Sequence, residues 1–174
     1  MRALRHLLAI AVLPFTVTVL VPLWIARDET TIPRLGATAA ELLLQTAGVG
    51  VLAVGLLLFV SSLRRFESEG DGTLAPWDPP QHLVVGGPYR YVRNPMISGV
   101  LFVLAAEAML LLSRPHGLWA LTFLGINAVS TPLLEEPMLR ARFGEAYREY
   151  CRHVPRIVPR LRPWTPDRTP GAPE

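Results

Sequence analysis

The sequence contains no lysine: all 17 basic residues are arginine, and charged residues make up only 18% of its 174 positions. Apolar residues account for 51%, more than a soluble domain of this length usually has, and they gather in long blocks. The basic residues are not interleaved with aromatic residues as in nucleic-acid-binding modules, so the net charge of +3 predicts no nucleic-acid partner. The composition predicts an integral membrane protein.

Cysteine is also nearly absent. Cys151 is the only one, which excludes an internal disulfide and any zinc or iron–sulfur site built from clustered cysteines. The histidines lack the spacing of a metal site, so no metal cofactor is predicted; they are His6, His82, His116 and His153.

Four apolar segments approach the ~20 residues that cross a bilayer core. They cover about 7–25, 37–60, 95–112 and 118–134. The first segment is too long for a signal-peptide core and lacks a small-residue cleavage site, so we expect a retained helix. In the second, Gly48, Gly50 and Gly55 either let another helix approach closely or are simply tolerated in lipid. The residues over 113–117 favour a tight turn, so the last two segments should form an antiparallel hairpin.

Arginine placement predicts the orientation. Most arginines fall on one side of the predicted membrane, and only Arg27, Arg34 and Arg114 fall on the other. The positive-inside rule then puts both termini in the cytoplasm, in the plasma (inner) membrane. The predicted fold is all-α, with four transmembrane helices in two hairpins and a C-terminal amphipathic cytoplasmic helix. Its parts are the N-terminal hairpin, a second part with a cytoplasmic loop over 67–85 and the last hairpin, and a disordered proline-rich tail: 1–66, 67–162 and 163–174.

Two polar groups should meet at the cytoplasmic end of the last hairpin. Asn94 and Glu136 lie equally far from Pro115 along the chain, and equal rise puts them at one height. Arg93 and Asn94 would then face Glu135 and Glu136. The cationic side suits a carboxylate and the acidic side an ammonium, which together match a zwitterionic amino-acid group. The alternative is that the arginines only set topology and the glutamates pair with them.

An amphipathic helix should follow this acidic pair. Leu139, Phe143, Tyr147 and Tyr150 recur at helical spacing among basic residues. Such a helix either lies on the membrane surface or closes a site over a cofactor.

At these residues the sequence resembles the isoprenylcysteine carboxyl methyltransferase family and, more broadly, the related phospholipid methyltransferases. The matching positions are His82-Leu83-Val84, Gly87 through Pro95, Glu135-Glu136, Leu139, Phe143-Gly144, Tyr147, Tyr150 and Val154-Pro155-Arg156. They cover roughly residues 82–160. Either motif alone is weak, but both motifs in order around a two-helix hairpin are specific for the superfamily, and not for a substrate.

The resemblance implies S-adenosylmethionine-dependent methyl transfer to a lipophilic substrate at the cytoplasmic boundary, and it implies roles for particular residues. Arg93 and Arg156 would orient an anionic head group as catalytic residues. The cofactor would be bound by Tyr89, Asn94, Glu135, Glu136, Tyr147 and Tyr150. Two positions depart from the family pattern: Asn94 replaces a histidine, and Ile97 stands where tyrosine is common.

Other polar residues within the predicted membrane helices are candidates for the substrate cavity. Glu107 would line the cavity or pair with Arg114 or another helix, and Asn127 would line the cavity or bond to a neighbouring helix. Membrane lipids are expected partners, and the sequence leaves the oligomeric state open. Two alternative functions remain: a sterol-reductase-like enzyme that uses NADPH, and a non-catalytic membrane protein that binds lipid.

Overall fold

The computed structural model describes residues 11–28, 35–70, 81–156 and 159–165. These residues form helices and connecting turns, and no strand occurs among them. In chain order the elements are a first π-helical segment (Ala11–Leu20), α1 (Val21–Asp28), α2 (Ala39–Gly70), a 3-10 turn (Gly87–Arg90), α3 (Pro95–Leu111), α4 (Arg114–Ser130), a second π-helical segment (Thr131–Glu135) and α5 (Glu136–His153).

Two helical stretches are long and apolar enough to cross a membrane. They are Ala39–Phe66 and Arg114–His153, with mean hydropathies of 2.3 and 1.4. Pro14–Arg27 and Pro95–Leu111 are apolar but shorter. The all-helical prediction is therefore confirmed for the described residues. Of the four predicted membrane spans, two correspond to helical stretches that are long and apolar enough to cross a membrane. The first predicted segment begins before Ala11, outside the described residues, and is split between π-helical and α-helical geometry.

The turn between α3 and α4 is shorter than the sequence predicted. Leu112 takes the left-handed conformation with φ 52°, and the Ser113 side chain caps α4 by accepting from the His116 backbone N–H. Pro115 lies in the first turn of α4, where its missing N–H would have had no helical partner anyway. The predicted turn over 113–117 is therefore wrong in extent, although the antiparallel hairpin is present.

The helix expected after Glu136 follows the fourth segment without a break. α4 runs through the second π-helical segment directly into α5, forming one continuous helical stretch, Arg114–His153. The chain bends later, at Gly144, whose φ of 54° and ψ of −127° are open essentially only to glycine. α5 therefore changes direction just before Tyr147 and Tyr150.

α2 and α3 cross at very close range. A Cβ added at Gly99 would lie 2.8 Å from the Phe59 backbone nitrogen, and one at Gly55 would lie 2.9 Å from the Phe102 Cβ. Gly48 also faces α3, while a Cβ at Gly50 would meet nothing within 4 Å. The close approach suggested by the sequence is thus confirmed for Gly48 and Gly55 and not for Gly50.

α2 continues to Gly70, ten residues past its predicted end. The first four residues of the predicted loop over 67–85 are therefore helical, because the apolar segment passes into a polar helical extension without a breaker. Residues 71–80 lie outside the described part of the chain.

A small apolar core joins the N-terminal part to the hairpin. Val100, Leu104 and Ala120 are buried, and Val17, Phe59, Trp119 and Phe123 pack against them. The Trp119 indole N–H donates to the Val17 carbonyl oxygen at 3.1 Å, which fixes the first π-helical segment against α4. This cluster, called the apolar floor below, closes one end of a cavity that opens toward the start of α3.

Candidate active site

The turn before α3 delivers its residues through local capping chemistry. Gly87 has φ 53°, which glycine adopts without strain, and it starts the 3-10 turn that ends at Arg90. The Asn94 Oδ1 then accepts from the Ile97 backbone N–H at 3.4 Å, and Pro95 occupies the first turn of α3. The Arg93 backbone N–H donates to the Pro155 carbonyl oxygen at 2.9 Å, so the chain after α5 holds this turn in place.

The two polar groups expected to meet do meet. The Arg93 Nη1 lies 2.9 Å from the Glu136 Oε1, and the Asn94 Nδ2 lies 3.4 Å from the Glu135 Oε2. Both contacts join the start of α3 to the junction between the second π-helical segment and α5. The juxtaposition inferred by counting along the hairpin is therefore confirmed.

Glu136 is the centre of an arginine cluster, defined here as Arg93, Arg140 and Arg156. The Glu136 Oε1 accepts from Arg93 and, at 2.7 Å, from the Arg156 Nε, while the Oε2 accepts from the Arg140 Nη2 at 3.1 Å. The Glu136 side chain is only 4% exposed. Its carboxylate is therefore fully engaged by side chains of the protein.

Arg93 keeps part of its guanidinium unused. Its Nη1 donates to the Glu136 Oε1 and, at 3.0 Å, to the Cys151 Sγ. Its Nε is buried without a hydrogen-bond partner among the described residues. Burial opposes the charged form of Arg93, yet the neighbouring Cys151 and Glu136 raise its pKa above the ordinary value. Arg93 is therefore a charged donor with one unpartnered N–H among the described residues, and a buried N–H normally has an acceptor.

Glu135 differs sharply from its neighbour. The 3.4 Å contact with Asn94 is longer than an ordinary N–H···O hydrogen bond, and the described residues supply no ion-pair partner. Glu135 is half-buried and lines the cavity. The acidic pair thus contains one carboxylate held by arginines and one available to a cation.

Three tyrosines close the site from the side of α5 and the 3-10 turn. The Tyr150 hydroxyl donates to the Tyr89 carbonyl oxygen at 2.7 Å, and the Tyr147 and Tyr150 rings lie 6.3 Å apart. All three side chains are buried, and burial followed by the charge of Glu69 raises the pKa of Tyr89. These hydroxyls therefore remain protonated and serve as donors and packing groups.

The chain beyond α5 contributes a contact that the sequence did not suggest. Arg90 donates through its Nε to the Trp164 carbonyl oxygen at 2.6 Å, and the Trp164 backbone N–H donates back to the Arg90 carbonyl oxygen at 3.0 Å. The Trp164 ring stacks on His153 and tilts against Tyr150. Trp164, assigned by sequence to a disordered tail, thus anchors the chain after α5 to the 3-10 turn. The sequence signal for this contact was a single aromatic residue among prolines. Residues 166–174 of the predicted tail lie outside the described part of the chain.

These groups surround a cavity of about 520 Å³. Of the residues predicted from sequence, its lining includes Tyr89, Arg93, Asn94, Asn127, Glu135, Glu136, Tyr147, Tyr150 and Arg156. Charged and tyrosine side chains lie near the start of α3, together with Met96 and Ile97. The other end is formed by apolar side chains that the sequence analysis did not single out: Pro14, Val17, Phe59, Val100 and Phe123. The cavity therefore has an ionic end and an apolar end.

Glu107 is not among the residues that line this cavity, and its predicted role in binding substrate stays a prediction. Its Oε2 is buried without a hydrogen-bond partner in the described part of the chain, and no ion pair there joins it to Arg114. Glu107 lies beyond Leu104, on the far side of the apolar floor. Asn127 does line the cavity, and its Nδ2 donates to the Phe123 carbonyl oxygen of its own helix at 2.8 Å.

Comparison with known proteins gives the family. The sequence profile of the phospholipid methyltransferase family matches residues 43–146, which contain α2, α3, α4 and the start of α5. Methanethiol S-methyltransferase 2 of Bradyrhizobium diazoefficiens is 40% identical over 73 residues, which are 42% of this chain and 27% of that protein. The chain thus matches about a quarter of the length of this relative, and no solved structure matches it. The chain therefore belongs to the phospholipid methyltransferase family.

Proposed function

We propose that this protein transfers a methyl group from S-adenosylmethionine to an apolar acceptor at the cytoplasmic boundary of the plasma membrane. The observation that carries the proposal is the juxtaposition of Arg93, whose buried Nε lacks a partner among the described residues, with Glu135, which lacks an ion-pair partner there. Both line the ionic end of an otherwise apolar cavity. The positive-inside rule supports the cytoplasmic placement, because the arginine cluster lies at this end.

The amino-acid part of the cofactor fits the charges of this end. Arg93 has a buried Nε without a partner, and the planar guanidinium suits a carboxylate. Glu135 faces it with a carboxylate that lacks an ion-pair partner in the described chain and suits an ammonium. Asn94 positions Glu135 through its amide, and Tyr89, Tyr147 and Tyr150 would enclose the cofactor from α5 and the 3-10 turn. When bound, S-adenosylmethionine supplies an activated methyl group on a cationic sulfur.

Glu136 takes a different role in this proposal from the one that the resemblance implied. Its two oxygens already accept from three arginines, so a ligand ammonium would compete with charged groups held at 2.7–3.1 Å. Glu136 is therefore a positioning residue that aims Arg93 and Arg156, and it does not contact the cofactor. Arg156, which is a third exposed, remains available to orient an anionic group of the acceptor.

The acceptor is considered in two classes. The family description points to a phospholipid head group, and the name of the relative points to a thiol. A thiol reacts as the thiolate, and its proton passes to water before the methyl transfer. The protein mainly aligns such a nucleophile with the methyl carbon, which is a large source of rate acceleration by itself. An NADPH enzyme and a non-catalytic lipid carrier are less favoured, since the family is a methyltransferase family.

Thermal unfolding in detergent tests the cofactor assignment. S-adenosylhomocysteine should raise the melting temperature, because a ligand at a hundred times its Kd stabilises by about 2.7 kcal/mol. Methylthioadenosine, which lacks the amino-acid group, should stabilise much less, and NADPH should not stabilise. Equal stabilisation by the two adenosine compounds would contradict the roles of Arg93 and Glu135. Stabilisation by NADPH alone would overturn the proposed reaction.

A further inference from the structure

The apolar end of the cavity is shallow, and its depth has a consequence for the acceptor. We propose that this end binds the tail of the acceptor and accepts only a short one, so that the substrate is a small apolar molecule and not a long-chain lipid. This inference rests on the proposed function, because the ionic end must be reserved for the methyl donor.

The apolar floor blocks the cavity at a defined depth. Val17, Phe59, Val100 and Phe123 line the cavity, and they also pack against Leu104, which is almost fully buried behind them. The hydrogen bond from Trp119 to the Val17 carbonyl oxygen closes the space between the first π-helical segment and α4. In the described part of the chain, these packed side chains border the cavity at this end.

The usable depth is set by α3. From Asn94, at the ionic end, to Val100, at the floor, the helix rises about 9 Å at ~1.5 Å per residue. One leaflet of the hydrocarbon core is about 15 Å deep, half of the ~30 Å of a bilayer. A phospholipid acyl chain or a long isoprenoid chain therefore cannot lie straight between the ionic end and the floor.

The volume leads to the same limit. Ligand cavities of ~300–1,000 Å³ enclose one drug-sized molecule, and this cavity measures about 520 Å³. The methyl donor is itself a molecule of drug size. Once its adenosyl and amino-acid groups occupy the ionic end, the remaining space suits an acceptor of a few heavy atoms.

The chemistry of the lining specifies an uncharged tail. Toward the floor the described lining residues carry no charged side chain, and the polar ones are Asn127 and Thr131. The Asn127 Nδ2 is already used by the Phe123 carbonyl oxygen. A charged group would lose its hydration there without gaining a partner, which is strongly unfavourable. The reacting atom of the acceptor therefore lies at the ionic end, and its tail points to the floor.

Methyl transfer to a graded acceptor series tests this proposal. Protein in detergent would be given methyl-labelled S-adenosylmethionine with straight-chain thiols from ethanethiol to dodecanethiol, and with phosphatidylethanolamine in mixed micelles. We expect transfer to the short thiols and a loss of about tenfold or more in kcat/KM for each methylene beyond the limit. Phosphatidylethanolamine should not be methylated.

Variants at the floor should move the limit. Val100→Phe raises the floor and should shift the limit to shorter thiols, and Val100→Ala should shift it to longer ones. Val129→Ala is the matched control, because Val129 is exposed on the outer face of α4 and should leave the limit unchanged.

Equal transfer to ethanethiol and dodecanethiol, efficient methylation of phosphatidylethanolamine, or the same limit in both Val100 variants would overturn the short-tail proposal. Binding of S-adenosylhomocysteine without transfer to any thiol would also overturn it, while leaving the cofactor site intact. If the parent protein does not bind S-adenosylhomocysteine at all, the proposed function itself is overturned.

Discussion

Replacing Glu136 by glutamine removes the charge on which the arginine cluster converges and keeps the size of the side chain. The amide places a donor where an oxygen now accepts from an arginine, so at least one buried guanidinium loses its partner. The pair with Arg140 contributes little, because that side chain is 53% exposed. The pair with Arg93 lies in the interior, where removal of one partner costs about 3–5 kcal/mol.

We therefore expect Glu136→Gln to lower the free energy of unfolding by about 3 kcal/mol, at the lower end of that range because Arg156 is partly exposed. In a domain of this length that corresponds to a fall of roughly 6 °C or more in melting temperature. Thermal unfolding of the ligand-free protein in detergent measures it.

Glu135→Gln is the matched comparison, since it makes the same chemical change one residue away. It alters only a long amide contact, so stability should change by less than about 1 kcal/mol. Its affinity for S-adenosylhomocysteine should fall by about tenfold or more in calorimetry, because an ammonium loses its charged acceptor. If Glu135→Gln proves the more destabilising of the two and Glu136→Gln retains full stability, the division of roles between the two glutamates is wrong.

Two further predictions concern backbone geometry and use thermal unfolding in detergent. Gly99→Ala should destabilise by about 1–3 kcal/mol, because its Cβ would meet the Phe59 backbone at 2.8 Å, whereas Gly50→Ala, in open space, should be neutral or slightly stabilising. Equal melting temperatures for these two variants would argue against the close crossing of α2 and α3. Gly144→Ala should lower the free energy of unfolding by about 1–3 kcal/mol and weaken S-adenosylhomocysteine binding, because only glycine suits φ 54° and ψ −127°. Gly125→Ala is the control, because a Cβ there would meet none of the described residues within 4 Å. A Gly144→Ala variant with unchanged stability would contradict the bend.

The start of α3 was predictable because its signals are local. Asparagine followed by proline is the usual beginning of a helix, and Asn94 and Pro95 occupy those positions. The encounter with Glu136 was predictable because an antiparallel hairpin fixes height through equal rise per residue. The turn nevertheless lies at Leu112 and Ser113 and not at Pro115. The return path to Glu136 is therefore longer than the path from Asn94, so equal rise per residue gives their relative height only approximately.

Other features depend on contacts that a sequence does not encode locally. Neighbouring residues on a helix point about 100° apart, so the sequence could not tell which of Glu135 and Glu136 faces the arginines. Trp164 contacts Arg90 although the two residues are 74 positions apart in the sequence. The prolines around Trp164 had instead suggested disorder. The apolar floor depends on Val17, which belongs to the first π-helical segment and meets the hairpin only in the folded chain.

The helical stretch from Arg114 to the bend at Gly144 passes both ends of the cavity. Phe123 at the apolar floor and Glu135 at the ionic end both belong to this helical stretch. A tilt of the helix that widens the cavity at one of these ends should therefore also move the side chain at the other end. A ligand that tilts this stretch from one end would then change the affinity at the other end, and thermodynamic linkage would make that influence equal in both directions.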